Sequence, residues 1–343
     1  MAQLTKIAVL TSDGDAPGMN AAIRAIVIAA THYNIEVMGF LHGYNGLIEN
    51  EAVQLSLKDV NNIIHKGGTI LKSARCPAML SEKGLKQAAN TLLKEQIDAF
   101  IVIGGDGSFS GLISLQQYYP GLVIGIPGTI DNDLDKTDFT IGFNTAVNTA
   151  IEAVDKIRDT ANAFERVFVI QLMGRQSGHI TFNVGIACGA ERVISFENFN
   201  PEEYEIKIKH LAQEIKMAQR DKYQSYLIIL AENLWPGGAL KLVKQLKEYQ
   251  SIDATACILG HIQRGGSPVA KDRILATKMG ITAVQKLIEG KSNLMIGEKN
   301  GLICEVSLID AVKHQKTVNQ RLIKAQENIL AFNCLVYCRF AVI

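Results

Sequence analysis

Four carboxylates stand within eight residues of "PGTIDNDLDKTD": Asp131, Asp133, Asp135 and Asp138. On an extended segment residues two apart share a side, so Asp131 and Asp133 are expected to project together. One of them can take a proton from an attacking hydroxyl while the other tunes that base or helps hold a metal ion, the two tasks that phosphoryl transfer requires. Alone, the run is ordinary for a solvated acidic loop with turn-forming Asn and Asp. Its position after the strand-like "LVIGI", in the company of three further loops, argues for chemistry.

The first of these, "VIGGDGSFSG", places consecutive glycines after an apolar run. Backbone amides there can turn inward around phosphate oxygens, and Asp106 can hold magnesium directly or through water. In "MGRQSGH" a fixed cation, Arg175, follows a glycine and is expected to open a helix, which suits charge building on a phosphoryl group in flight. In "LGHIQRGGSP" His261 and Arg264 are three residues apart before a double glycine and can grip a second, non-reacting phosphate. Together the loops imply transfer of a phosphoryl group to a hydroxyl of a phosphorylated acceptor.

The elements that must carry these loops are short β-branched runs: "KIAVLT", "IEVMGF", "DAFIVIGG", "GLVIGIP", "RVFVIQLMG", "RVISF", "YLIILAE" and "ATACILG". Helical stretches lie between most of them, one opening near Pro17, one over about 144–159 and one over 204–220. Such alternation predicts an α/β fold of two doubly wound, Rossmann-like domains with largely parallel sheets, whose ligands sit beyond the carboxyl ends of the strands. With 343 residues, 48% of them hydrophobic, the chain can fill two cores. A net charge of +1 gives no global field to recruit nucleic acid or an anionic membrane. The six scattered cysteines suit reduced thiols, no run reaches membrane-spanning length, and "MAQLTKIAVL" reads as a first strand; a cytoplasmic setting is expected.

At these residues the chain resembles the bacterial type of ATP-dependent 6-phosphofructokinase to about residue 330. "DAPGMNAAIR", "IGGDGS", "PGTIDND", "TIGFNTA", "MGRQSGH" and "GHIQRGGSP" occur in the family's order. The resemblance implies transfer from MgATP to the 1-hydroxyl of fructose 6-phosphate, in a homotetramer. It implies a nucleotide-binding domain over 1–142 and about 263–310, a sugar-phosphate domain over 143–262 and about 311–333, and a tail at 334–343. Asp131 is then the base, Asp133 its partner, and Thr129 and Arg175 flank the transferring group. Asp106 is the Mg2+ carboxylate. ATP falls to Gly14, Tyr44, Arg75, Cys76, Gly105, Asp106, Gly107 and Ser108. The sugar phosphate falls to Thr129, Ile130, Asp131, Arg166, Met173, Gly174, Arg175, Glu232, His261 and Arg264, with Arg166 supplied by a neighbouring subunit. Glycine at 107 and 128, where pyrophosphate-using relatives carry an acid and a lysine, favours ATP.

Three departures stand out. Thr255 occupies the place of a second cross-subunit arginine, and losing one charge-assisted contact costs on the order of 1.5 to 3 kcal/mol. Arg24, Arg158 and Glu191 match polar residues of the family's effector site, but Ile28 and Leu57 replace arginines there, so a weak response to ADP or phosphoenolpyruvate is expected. Asp13 and Lys72 both replace glycines near the donor phosphates. They form an expected compensating pair, unless Asp13 faces solvent, caps the turn or joins the metal shell. A pyrophosphate-dependent enzyme and a catalytically weak binding subunit are the alternative readings.

Overall fold

The computed structural model describes residues 4–220 and 225–329; the expected tail at 334–343 lies outside them. In chain order the elements are β1 (Lys6–Thr11), α1 (Met19–His32), β2 (Glu36–Phe40), α2 (Tyr44–Glu49), β3 (Ala52–Leu55), α3 (Glu82–Lys94), β4 (Ala99–Gly104), α4 (Asp106–Leu115), β5 (Leu122–Thr129), β6 (Ile141–Gly142) and α5 (Phe143–Phe164). There follow β7 (Val167–Leu172), α6 (His179–Ala187), β8 (Arg192–Ile194), α7 (Tyr204–Arg220), β9 (Tyr226–Ala231), α8 (Gly238–Gln250) and β10 (Ala254–Ile258). The chain ends its described course with α9 (Ala270–Ile288), β11 (Leu294–Lys299), β12 (Leu302–Ser307), α10 (Leu308–Lys313) and helical residues 320–329.

These elements form two compact units: the chain up to Thr145 with Arg264–Lys316, and Ala146–Gln263 with the chain from Thr317. The first unit holds one sheet in the order β12-β11-β5-β4-β1-β2-β3, with β6 beside β5. It is parallel except at its edges, where β2 pairs with β3 and β11 with β12 in antiparallel fashion. Its inner strands are apolar on both faces because helices cover both: all six residues of β4 are buried. Order reverses between β1 and β4, the switch at which doubly wound sheets open a crevice for ligands. The second unit holds a fully parallel sheet, β10-β7-β9-β8. Helix α7 covers it with Ile208, Leu211, Ala212 and Ile215, spaced three and four apart and buried against Val169, Ile228 and Leu230.

Helix α1 starts later than its sequence implies. Gly18 takes φ 113°, outside helical space, so the helix opens at Met19 and Pro17 precedes it instead of lying in its first turn. The amino end of α5 is anchored by a side chain from another element. The fully buried Asp272 of α9 accepts from the backbone N–H and hydroxyl of Thr145 (2.8 and 2.5 Å) and from Asn144 Nδ2 (3.0 Å). Burial pushes that carboxyl up, and the three donors hold it back.

Candidate active site

In the first unit three neighbouring strands, β5, β4 and β1, deliver their carboxyl ends side by side. From β1 comes the Asp13–Gly14 turn, tied to β4 by the Ser12 N–H on the Ile103 carbonyl (3.0 Å). Asp13 takes φ 71° and Lys72 φ 61°, backbone that favours glycine, which accords with the glycines that the resemblance implies at both places. The expected pair does not form: Asp13 Oδ1 accepts instead from Arg75 Nε at 3.2 Å. Lys72 serves through its backbone, its carbonyl accepting from the Thr11 hydroxyl at 2.7 Å. A Cβ on Gly14 would lie 2.5 Å from Arg264 Nη1, whose guanidinium also donates to the Asp15 carbonyl (3.2 Å). The position is therefore small because an arginine crosses it.

From β4 comes Gly105 as N-cap of α4, with Asp106 as the first helical residue and Ser108 buried one step further. The Ser108 hydroxyl is buried and has no partner among the described residues. Tyr44 is buried and its phenol donates to the Ser108 carbonyl (2.7 Å), so it supports this helix start from below; burial pushes its hydroxyl up. Cys76 is half-buried against the core, ahead of a short 3-10 turn, and the Arg75 side chain beside it is open to solvent.

From β5 comes Thr129, whose hydroxyl accepts the Asp131 N–H (3.2 Å); a Cβ on Gly105 would be 3.7 Å from Thr129 Cβ. Ile130, Asp131 and Asp133 are all buried. The extended segment expected here is absent. Asn132 turns to φ 54°, because its side chain accepts from the Thr140 N–H (3.0 Å) and donates to the Asp138 carbonyl (3.3 Å). The two acids are buried by a bend, not by strand alternation.

Two glycines beside these loops differ in the space around them. Above Gly107 a Cβ would meet nothing within 4 Å, whereas on Gly128 it would lie 2.8 Å from Ile103 Cγ2 and 3.1 Å from Met19 Cε. A side chain has room at 107 and none at 128.

The second unit carries the other residues expected for the sugar phosphate, apart from Arg264. Glu232 Oε1 accepts the N–H groups of Gly174 (3.1 Å) and Arg175 (2.8 Å), and Gln263 Oε1 accepts that of Met173 (2.9 Å). These bonds hold a loop in which Gly174 has φ 153° and Arg175 φ 57°. Helix α6 begins only at His179, so Arg175 sits on that strained loop and not at a helix start. His261 is exposed in a 3-10 turn spanning Gly260–Arg264. Gln263, between His261 and Arg264, was not among the residues expected from sequence, although it lies inside the same motif; it is fully buried and its Nε2 has no partner among the described residues.

Arg166 stands apart. It precedes β7, with its guanidinium carbon 5.0 Å from the Phe164 ring centroid, while Met173 follows the other end of that strand. Seven residues of extended chain span about 23 Å, so the two ends cannot share one phosphate within a chain. Thr255 lies at the same amino end, in register with Phe168 on the neighbouring β10.

An open cleft of about 350 Å³ in the first unit is lined by Arg24, Ile28, Leu57, Lys58, Val60 and Asn61, with Ile28 and Leu57 exposed in it. In the second unit Arg158 is engaged by Glu191 (3.1 Å) and by the carbonyls of Cys188 and Gly189.

The profile of the family described as Phosphofructokinase matches residues 6–287. The chain belongs to the phosphofructokinase family. It is 47% identical over 324 residues to "ATP-dependent 6-phosphofructokinase 1" of Thermus thermophilus, covering 94% of this chain and 99% of that relative. Identity to "ATP-dependent 6-phosphofructokinase" of Clostridioides difficile is 45% over 315 residues, 92% and 96% of the two chains. Among solved structures, the phosphofructokinase of Saccharomyces cerevisiae matches with TM-score 0.81 and 33% identity; this chain covers 47% of that longer chain and 95% of its own length. A pyrophosphate-dependent phosphofructokinase from Marinobacter aquaeolei matches at TM-score 0.77 with 22% identity, over 93% of this chain and 86% of that one, a likeness of fold alone. The two-unit α/β architecture is thus the phosphofructokinase fold.

Proposed function

We propose that the chain is an ATP-dependent 6-phosphofructokinase, transferring the γ-phosphoryl of ATP to the 1-hydroxyl of fructose 6-phosphate to give fructose 1,6-bisphosphate and ADP in glycolysis. The observation that carries this is the pairing of β4 with β5, which sets a phosphate-type helix start, Gly105–Ser108, beside the buried Thr129–Asp133 bend. Donor and acceptor loops are then adjacent strand ends of one rigid sheet, as a near-attack arrangement requires.

In this mechanism Asp131 takes the proton of the 1-hydroxyl, and Asp133, buried two residues on, tunes it. The Thr129 hydroxyl, which accepts the Asp131 N–H, keeps its own proton to donate to a phosphoryl oxygen. The Arg175 guanidinium, on the loop held by Glu232, offsets charge on the group in flight. The amides at the start of α4 and Gly14 receive the phosphates. Asp106, the first residue of α4 beside the phosphate-type turn, would hold Mg2+ as a single carboxylate, since magnesium typically uses one or two carboxylates with substrate phosphates. When bound, the ion neutralises phosphate charge. Met173, Gly174, His261 and Arg264 serve the sugar phosphate, and the placement of Arg166 at the far end of β7 supports its delivery to a neighbouring subunit of a homotetramer. Among the described residues no helix is long and apolar enough to cross a membrane.

A second reading is a pyrophosphate donor. The closed space over Gly128 opposes it, since a lysine there has no room beside Ile103 and Met19. Initial rates with MgATP and with pyrophosphate across fructose 6-phosphate concentration decide: turnover with ATP alone is expected, and turnover with pyrophosphate alone overturns the assignment. Absence of both leaves only a binding subunit.

A further inference from the structure

The acidic loop after β5 is clamped by the last residues of the first unit. Asp135 N–H donates to the Ala311 carbonyl (3.1 Å), Leu134 and Gln315 form an antiparallel bridge, and Lys316 N–H donates to the Asp133 carbonyl (2.9 Å). The Lys316 ammonium then donates to the Asp138 carbonyl (2.5 Å), within the field of Asp133, Asp135 and Asp138. Two other lysines meet this loop from its surface, and Lys271 also lies in the field of Asp138, Asp272 and Glu298. Lys136 is exposed and reaches Asp135 at 3.6 Å, and the Lys271 ammonium lies 3.1 Å from the Phe139 ring centroid.

We propose that Lys316 is a positioning residue for the reaction: its ammonium and backbone N–H hold the 131–138 loop in the bend that buries Asp131 and Asp133. The inference rests on the reaction assigned above and adds a residue that touches neither substrate. Four acids in eight residues repel one another, and a cation fixed among three of them lets the bend close. Stability alone does not explain this lysine. Burial lowers its pKa to about 8, and the three carboxylates recover only part of that penalty. An uncharged residue of similar length would fold at least as well, so the charge serves the geometry.

The test compares wild type with Lys316→Met, Lys316→Gln and Lys313→Met, the last changing an exposed lysine on α10. Wild-type turnover of MgATP and fructose 6-phosphate comes first; without it the assigned reaction fails, whatever Lys316 does. Given that turnover, Lys316→Met and Lys316→Gln are expected to lose about 10- to 100-fold in kcat. Both KM values should stay within about threefold, Tm should be unchanged or raised, and Lys313→Met should be silent. Wild-type kcat in both Lys316 variants overturns the proposal. So does a loss of activity that follows a fall in Tm, because that is the mark of a merely structural residue.

Discussion

Asp13 carries a left-handed backbone, a negative charge beside expected donor phosphates and an ion pair to Arg75, all at one position. The pair is open to solvent on the arginine side and contributes at most about 1 kcal/mol, comparable to the strain of an L-residue in αL. If Arg75 meets the nucleotide as proposed, the pair matters more for binding than its energy suggests, because it engages that guanidinium. Asp13→Gly is expected to tighten ATP binding, and Arg75→Ala to cost more in that background than in wild type. A double-mutant cycle on ATP affinity should show coupling of Asp13 with Arg75, but additivity within about 0.5 kcal/mol for Asp13 with Lys72. Coupling to Lys72 alone would restore the pairing read from sequence.

At the scale of elements, the strand ends make opposite demands at two glycines. Gly107→Asp is expected to fold with wild-type Tm, because the space above it is open, while ATP turnover falls through repulsion of the phosphates. Gly128→Lys must displace Ile103 or Met19 and is expected to cost about 1 to 3 kcal/mol, read as a lowered Tm. The clamp on the acidic loop has a pH signature. Burial lowers Lys316 from 10.5 to about 8, so between those values the unfolded chain binds the extra proton and this group's contribution to stability rises with pH. The Tm of wild type relative to Lys316→Met should therefore climb from pH 8 to about 10; a flat difference contradicts the shift.

Much of this was legible beforehand. All eight β-branched runs are strands, and their carboxyl ends carry the loops read as chemical, because buried parallel strands and glycine turns leave local marks. What was not legible depended on partners distant in sequence. The bend at Asn132 needs Thr140 and Asp138, the anchoring of α5 needs Asp272, and Lys316 meets its loop some 180 residues away. The hairpin of β11 and β12 went unread, though its Asn300-Gly301 turn was a visible signal. The late start of α1 follows from Gly18 at φ 113°, and that of α6 from the loop in which Gly174 and Arg175 take φ 153° and 57°, conformations that composition does not reveal.

For the whole molecule, Thr255 on β10 and Arg166 just ahead of the adjacent β7 share the amino end of the second sheet. If that end faces a neighbour's sugar-phosphate loop, Thr255→Arg should lower KM for fructose 6-phosphate by one to two decades, roughly the worth of one charge-assisted hydrogen bond. Its kcat and its KM for ATP should hardly change. An unaltered KM for the sugar would remove Thr255 from the substrate's surroundings.

The separation of Arg166 from Met173–Arg175 along β7 also bears on how damaged copies would behave together in the proposed assembly. If Arg166 serves a neighbouring subunit as proposed, a chain with Arg166→Ala keeps a sound loop and spoils only its neighbour's site, whereas one with Arg175→Ala spoils its own and still lends a sound arginine. Mixed by unfolding and refolding, two preparations each nearly dead should recover about a quarter of full activity, since half of the random two-fold pairs are hybrid and each hybrid assembles one complete site. In a cell carrying both alleles, each defect would partly cure the other.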